Sequence, residues 1–425
     1  MLTVRRAFRQ SGSPKAKALF LVIALGSWFL YFFSHRIFDR TAPKLTINNL
    51  TDGETLKTSL LLEITASDQR AGIKDLYLQI NDEQPQKLQK LPKQTIKRAR
   101  EYNYDLSGLE DGPYQLTITA LDRAFRTNES YLHVSFSVDR NPPQIHFTTK
   151  PKIGLQGNTI AVFIVSNELL GSIEANMFGK VQTFYPLPVS GKSSEYYWYR
   201  CLVGIGVTQQ IGYHSLDLIA TDRVGNQSTA AFVMEIEKNE FERGGYIKLS
   251  PQKQKLMLDK SKSRSDNAKR GQAYTVSEQT TQQLWNGHFI RPASGILTSP
   301  FGKYREYNTG VKRHHLGTDI ANQTGTAIYA SNSGVITLAE RLHIYGYSII
   351  INHGQGVSTS YSHLSKIEVA VGDNVAKDQL IGLMGATGQV TGPHLHWHMA
   401  VNGVAVAPEQ WTEVNFSSPK SKTPN

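Results

Sequence analysis

Seven residues near the C-terminus, Gly392-Pro393-His394-Leu395-His396-Trp397-His398, constrain the fold of this chain more than any other stretch. Side chains alternate along a β-strand, which would place His394, His396 and His398 on one face and Leu395 and Trp397 on the other. A segment with one imidazole face and one apolar face belongs in a sheet whose apolar side packs a core while its histidines open onto a cleft. Neutral imidazole is the commonest protein ligand for metals, so that face is a candidate metal site. Taken alone, the pattern is equally compatible with a histidine-rich polar edge.

Two further stretches decide between these readings. His315-Leu316-Gly317-Thr318-Asp319 sets a histidine and a carboxylate four positions apart. Gly317 and the β-branched Thr318 and Ile320 argue against a helix there. A strand also aligns i with i+4, so His315 and Asp319 share a side and His314 faces away. Two imidazoles and one carboxylate make an open zinc site with a fourth position for water. The other stretch is Tyr361-Ser362-His363-Leu364, which follows Asn352-His353-Gly354. His353 is expected to be a turn or strand-end residue. His398 lies about 6 to 7 Å further along its strand than His396, which suits a supporting or rim position better than ligation.

In this order, His-x-Gly-x-Asp, Tyr-x-His-Leu and Gly-x-His-Leu-His, the segment from about Trp285 to Trp411 resembles the zinc metallopeptidases of the lysostaphin and LytM type, which cleave peptide bonds in peptidoglycan. The flanks Thr298-Ser299-Pro300-Phe301-Gly302 and Gly385-Ala386-Thr387-Gly388 are similar to the same family. The resemblance implies one zinc ion per chain held by His315, Asp319 and His396, with His363 and His394 as a catalytic pair that does not bind it. It also implies a β-rich groove for an extended peptide of peptidoglycan. The roles within the catalytic pair stay open, as does the bond cleaved: a D-alanine to diaminopimelate cross-link or a glycine bridge. A catalytically dead relative that activates another wall hydrolase, or an adhesion scaffold with a vestigial enzyme domain, would lack some of these five residues, and none is missing.

The remaining sequence sets out the architecture. The 425 residues are enough for two to four domains. Residues 1–17 carry Arg5, Arg6, Arg9, Lys15 and Lys17, and Ala18 to Phe33 contains no charge. No Ala-x-Ala site follows, so 18–36 is expected to be an uncleaved transmembrane anchor, with 1–17 a cytoplasmic basic segment. That places the protein in the bacterial inner membrane, single-pass, with the C-terminal domains on the periplasmic or outer side. Period-two runs such as Leu60-Leu62-Ile64-Ala66 and Tyr114-Leu116-Ile118-Ala120 then predict an antiparallel sandwich over 37–141. Ala120-Leu121-Asp122-Arg123 recurs as Ala220-Thr221-Asp222-Arg223, which predicts a second sandwich over 142–246. Both resemble bacterial immunoglobulin-like domains, and they are expected to act as spacers or as docking sites for a protein partner. Polar residues 247–284 read as a solvated linker with room for a helix near its end, 285–412 as the metallopeptidase domain and 413–425 as a disordered tail. The expected fold class is therefore mainly β.

The net charge of +11 raises the question of nucleic acid. The basic residues cluster at the N-terminus and in Lys253 to Arg270 with no aromatic residues to stack bases, so nucleic acid is not an expected partner. Cys201 is the only cysteine, which excludes an intramolecular disulfide and a thiolate zinc cluster. It is expected to be a buried apolar residue, and the neighbouring Tyr196 to Tyr199 to fill a sandwich core.

Overall fold

The computed structural model describes residues 14–88, 97–188 and 196–417. Apart from helices α1 (Pro14–Ile37), α2 (Pro251–Leu258), α3 (Lys260–Gln279) and α4 (Pro408–Glu413), the regular elements are strands. The chain divides into two compact units, Met1–Asn141 with Arg223–Asn226, and Pro142–Asp222 with Gln227–Asn425.

In the first unit, α1 carries a row of exposed apolar side chains, among them Leu21, Leu25, Trp28, Phe29 and Leu30. Among the described residues, however, no helix is long and apolar enough to cross a membrane. The apolar run stops at Phe33, and Arg36 lies inside the last turn of the helix. Residues 1–13 of the basic segment lie outside the described residues. Beyond the helix, a three-stranded sheet (Lys44–Ile47, Ser59–Ser67, Lys97–Asp105) and a five-stranded one that includes Gly112–Asp122 and Glu129–Val138 enclose a core. Leu60, Leu62 and Ile64 face Leu116, Ile118 and Phe136 in that core, as the alternation requires.

The second unit repeats the arrangement and then extends it. A four-stranded sheet containing Thr159–Ser166 and Tyr197–Gly204 packs on a five-stranded sheet containing Gly212–Asp222 and Gln227–Glu237. Cys201 and Tyr199 are buried in the core between them. The outer side of the four-stranded sheet is buried as well: Ala161, Phe163 and Leu202 share a cluster with Trp285, Phe289, Met399, Val401, Trp411 and Phe416. Sandwich and C-terminal segment are thus joined through one apolar core. Polar groups reinforce the join. Gln410 bonds both backbone groups of Thr159, and the Trp411 indole donates to Thr159 Oγ1 at 3.0 Å.

Two expectations are corrected here. Residues 247–284 do not form a solvated tether. Strand Arg243–Ile247 pairs with Tyr304–Tyr307, and α3 lies on the C-terminal sheet with Asp266, Arg270, Ala273 and Ser277 buried. The spacing of those four residues marks a single helical face, but a mostly polar one, so its packing runs through hydrogen bonds rather than hydrophobicity. The tail is also ordered further than expected. Phe416 is fully buried and its carbonyl accepts a bond from Arg200 Nη1 at 2.8 Å, whereas 418–425 lie outside the described residues.

The C-terminal sheet has the strand order Ile296–Ser299, Thr318–Ala321, His394–Val401, Val357–Ile367, Gly346–Gly354, Gly334–Leu342 and Asn374–Val375. One face packs on Ile320, Ile349, Ile351, Tyr361, Leu395 and Trp397. The histidine-rich strand lies in its middle, with its imidazoles on the opposite face.

Candidate metal centre

Asp319 and His396 are direct cross-strand partners in adjacent antiparallel strands, so their side chains rise side by side from the sheet. His315 enters from the loop before the strand of Asp319. Gly317 makes that approach possible, because a Cβ there would come within 2.6 Å of His396 Cε1 and 2.7 Å of the Trp397 carbonyl. Asp319 Oδ1 lies 3.0 Å from His315 Nε2 and 2.9 Å from His396 Nδ1, and the two nitrogens are 3.0 Å apart. Three donor atoms therefore converge on one point.

The convergence fits a cation. His315 Nδ1 faces the Pro300 carbonyl, which can only accept, so Nε2 presents a lone pair to a carboxylate oxygen and a second imidazole nitrogen. Burial alone would raise the Asp319 carboxyl, yet the two imidazoles beside its Oδ1, His315 and His396, outweigh it and hold the group well below the usual carboxylate range. Burial lowers His396 to about 4, which keeps it neutral. Two imidazoles and one carboxylate are the donor set of an open zinc site.

Arg305 completes the group, and no spacing rule pointed to it. Its Nη2 donates to Asp319 Oδ2 at 2.6 Å and to Ser299 Oγ at 2.5 Å, occupying the carboxylate oxygen that faces away from the histidines. Arg305 sits in a short strand with no fixed sequence relation to His315 or His396, so nothing in the sequence marks it.

His363 reaches the site through a β-bulge. Pairing with Gly346–Gly354 passes from Tyr361 opposite Ile349 to Leu364 opposite Tyr347, one extra residue on the His363 strand. A regular strand would aim His363 the same way as Tyr361, into the core. The bulge and a φ of +70° turn it onto the face of His396 instead. Its ring centroid lies 5.0 Å from His394 and 6.0 Å from His396. The Nδ1–H donates to the Thr387 carbonyl at 2.9 Å, which leaves Nε2 as the free nitrogen, and burial pushes the imidazole down to about 3. His394 donates Nδ1–H to the Gly392 carbonyl at 3.0 Å, and its Nε2 stands 3.8 Å from Asp319 Oδ1.

The other histidines separate as strand geometry anticipates. His314 is turned outward, its Nδ1 bonded to the Gly302 carbonyl at 2.7 Å. His353, fully buried near its strand end, bonds the Ser333 carbonyl and Thr359 Oγ1, and burial lowers it to about 4. His398 is one strand repeat beyond His396 and stacks on Tyr274 of α3, whose hydroxyl lies 3.3 Å from its Nδ1.

With this geometry in hand, known proteins supply the comparison. Peptidase family M23 matches residues 313–408. The DD-carboxypeptidase/endopeptidase Mpg of Neisseria meningitidis serogroup B is 43% identical over 112 residues, 26% of this chain and 26% of the relative. The peptidoglycan DD-endopeptidase ShyA of Vibrio cholerae serotype O1 is 46% identical over 89 residues, 21% of each. The chain thus spans about a quarter of the length of these curated relatives. Among solved structures, the catalytic domain of lysostaphin from Staphylococcus simulans is 29% identical over 31% of this chain and 93% of that one, with a TM-score of 0.23. The matched segment encloses His315, Asp319, His363, His394 and His396, and residues 313–408 of this chain are a peptidase family M23 domain.

Proposed function

We propose that the chain is a membrane-anchored zinc metalloendopeptidase that hydrolyses peptide bonds in bacterial peptidoglycan. The observation that carries this reading is the convergence of His315, Asp319 and His396 within 3.0 Å of one another, beside a facing pair of imidazoles. His315, Asp319 and His396 would hold a zinc ion, which would supply a Lewis acid for water and for the scissile carbonyl. The protein's own groups do the rest. His363, buried and neutral with Nε2 free, is read as the proton acceptor. His363 then returns that proton to the leaving amine, and His394, tied at Nδ1 in the same way, is read as the imidazole that faces the oxyanion. Arg305 and the main-chain carbonyls of Pro300, Thr387 and Gly392 fix the orientation of these groups.

The names of two relatives, DD-endopeptidase and DD-carboxypeptidase/endopeptidase, favour the D-alanine to diaminopimelate cross-link over a glycine bridge. The exposed apolar side chains around α1 support its use as the tether to the inner membrane, with the sandwiches and the M23 domain on the periplasmic side. The two sandwiches are read as immunoglobulin-like. The first is the one left for a protein partner, because the second is built into the M23 domain's core. Defined muropeptides incubated with the full-length protein in detergent should yield the uncross-linked products, identified by mass. An unchanged dimer after incubation with zinc-loaded protein would refute the reading. A reporter fused after Arg40 that proves active in the cytoplasm would refute the topology.

A further inference from the structure

Helix α3 precedes the matched M23 segment, yet it holds the turn that aims His363. Residues 343–345 form the tip of the hairpin joining Gly334–Leu342 to Gly346–Gly354. Hairpin tips are ordinarily the loosest part of a sheet. This one carries two contacts to the site: the Tyr345 carbonyl accepts the N–H of His363 at 2.9 Å, and the Ile344 carbonyl accepts the N–H of Gln389 at 2.8 Å. Gln389 lies two residues after Thr387, whose carbonyl takes the His363 ring N–H. His363 itself sits in left-handed backbone, a conformation that persists only where its surroundings enforce it.

The enforcing contacts come from α3. Asp266 is 1% exposed, and its two carboxylate oxygens accept the N–H groups of His343 at 3.0 Å and Ile344 at 2.7 Å. One turn along the helix, the Arg270 guanidinium lies 4.1 Å from the centre of the Tyr345 ring and donates to Ser360 Oγ on the His363 strand at 3.0 Å. Both ends of the 343–345 turn are therefore fastened to one helical face. We propose that Asp266 is a positioning residue for the reaction: through the amides of His343 and Ile344 it fixes the Tyr345 carbonyl, and so the ring orientation of His363. The proposal rests on the reading of His363 as a catalytic imidazole.

Asp266→Asn keeps the side chain's volume but only one acceptor oxygen, and Asp266→Ala keeps neither. In the full-length protein kcat on muropeptides should fall about 10-fold in the first and about 100-fold in the second, with KM within twofold and metal content unchanged. Asp266→Glu, which retains both oxygens, should recover part of the loss. Because Asp266 acts through His363, the Asp266→Asn, His363→Ala double variant should be no slower than His363→Ala alone. A readout independent of activity is the ring-nitrogen NMR of His363 in metal-free protein. The wild type should show the Nδ1–H tautomer alone, and Asp266→Asn a mixture of tautomers. An unchanged kcat, multiplicative losses in the double variant, or an unmoved tautomer would each overturn the proposal. If Asp266→Ala does not fold, Asp266→Asn carries the test by itself. A wild type inactive on peptidoglycan whose His363 tautomer still responds to Asp266→Asn would refute the proposed function and leave the positioning role standing.

Discussion

Asp319 is gripped from two sides, by the histidines through Oδ1 and by Arg305 through Oδ2. Partners that orient a metal ligand typically matter by about 10 to 100-fold in affinity. Arg305→Met should therefore weaken zinc binding by about that factor without unfolding the domain, as read by competition with a chelating dye; an unchanged affinity would make the ion pair incidental. Cys201 shows a different consequence of burial, which pushes its thiol up to about 12. The thiolate is the reactive form, so at pH 8 iodoacetamide should leave the native protein unmodified and alkylate it once denaturant is added. Rapid labelling of folded protein would contradict this. Strand alternation and a family motif marked His315, Asp319, His363, His394 and His396 as candidates, and the structure brings the five together. The sequence left Arg305 and Asp266 unmarked, since each works through a contact between segments far apart in the chain.

At the scale of elements, the alternating strands were readable because each buries an apolar face, and His394 to Trp397 in particular keeps its histidines and its core residues on opposite sides. The packing of helix α3 was not. Its buried stripe is Asp266, Arg270, Ala273 and Ser277, which no pattern of hydrophobicity distinguishes from a solvated tether. The bulge at His363 was equally hidden, because it depends on a register shift between two strands. The turn carrying His315 has a direct test in Gly317→Ala. The added methyl would lie 2.6 Å from His396 Cε1 and 2.7 Å from a main-chain oxygen, so either the ring or the strand must move. Zinc content should fall to well under one equivalent while the circular dichroism spectrum stays native. Full zinc occupancy would show that the turn relaxes at no cost to the site.

For the whole molecule, the repeat of the Ala-x-Asp-Arg motif foretold two sandwiches but not their unequal fates. Nothing along the strand Thr159–Ser166 separates a solvent face from an interface, and in fact every residue of it is buried. Phe163 lies in the second sandwich, yet its neighbours in the cluster include Trp285, Phe289 and Trp411. Phe163→Ala should cost about 3 to 5 kcal/mol and lower a single melting transition shared by the sandwich and the M23 domain. Two separate transitions, with only one shifted, would mean that the domains fold independently. By the same argument a fragment starting at Gln283 exposes Trp411, Phe289 and Phe416 and should be insoluble, whereas one starting at Pro142 retains their cover.

The division of labour among the five site residues is the central claim, and zinc content measured beside muropeptide hydrolysis on purified full-length variants tests it most directly. His315→Ala, Asp319→Ala and His396→Ala should lose metal and activity together. His363→Ala and His394→Ala should keep one equivalent of zinc and lose activity by about 100 to 10,000-fold, the range expected when a general acid or base is removed. His314→Ala should do neither. A metal-free His394→Ala protein, or a His396→Ala, Asp319→Ala double variant that still holds a full equivalent of zinc, would contradict the account.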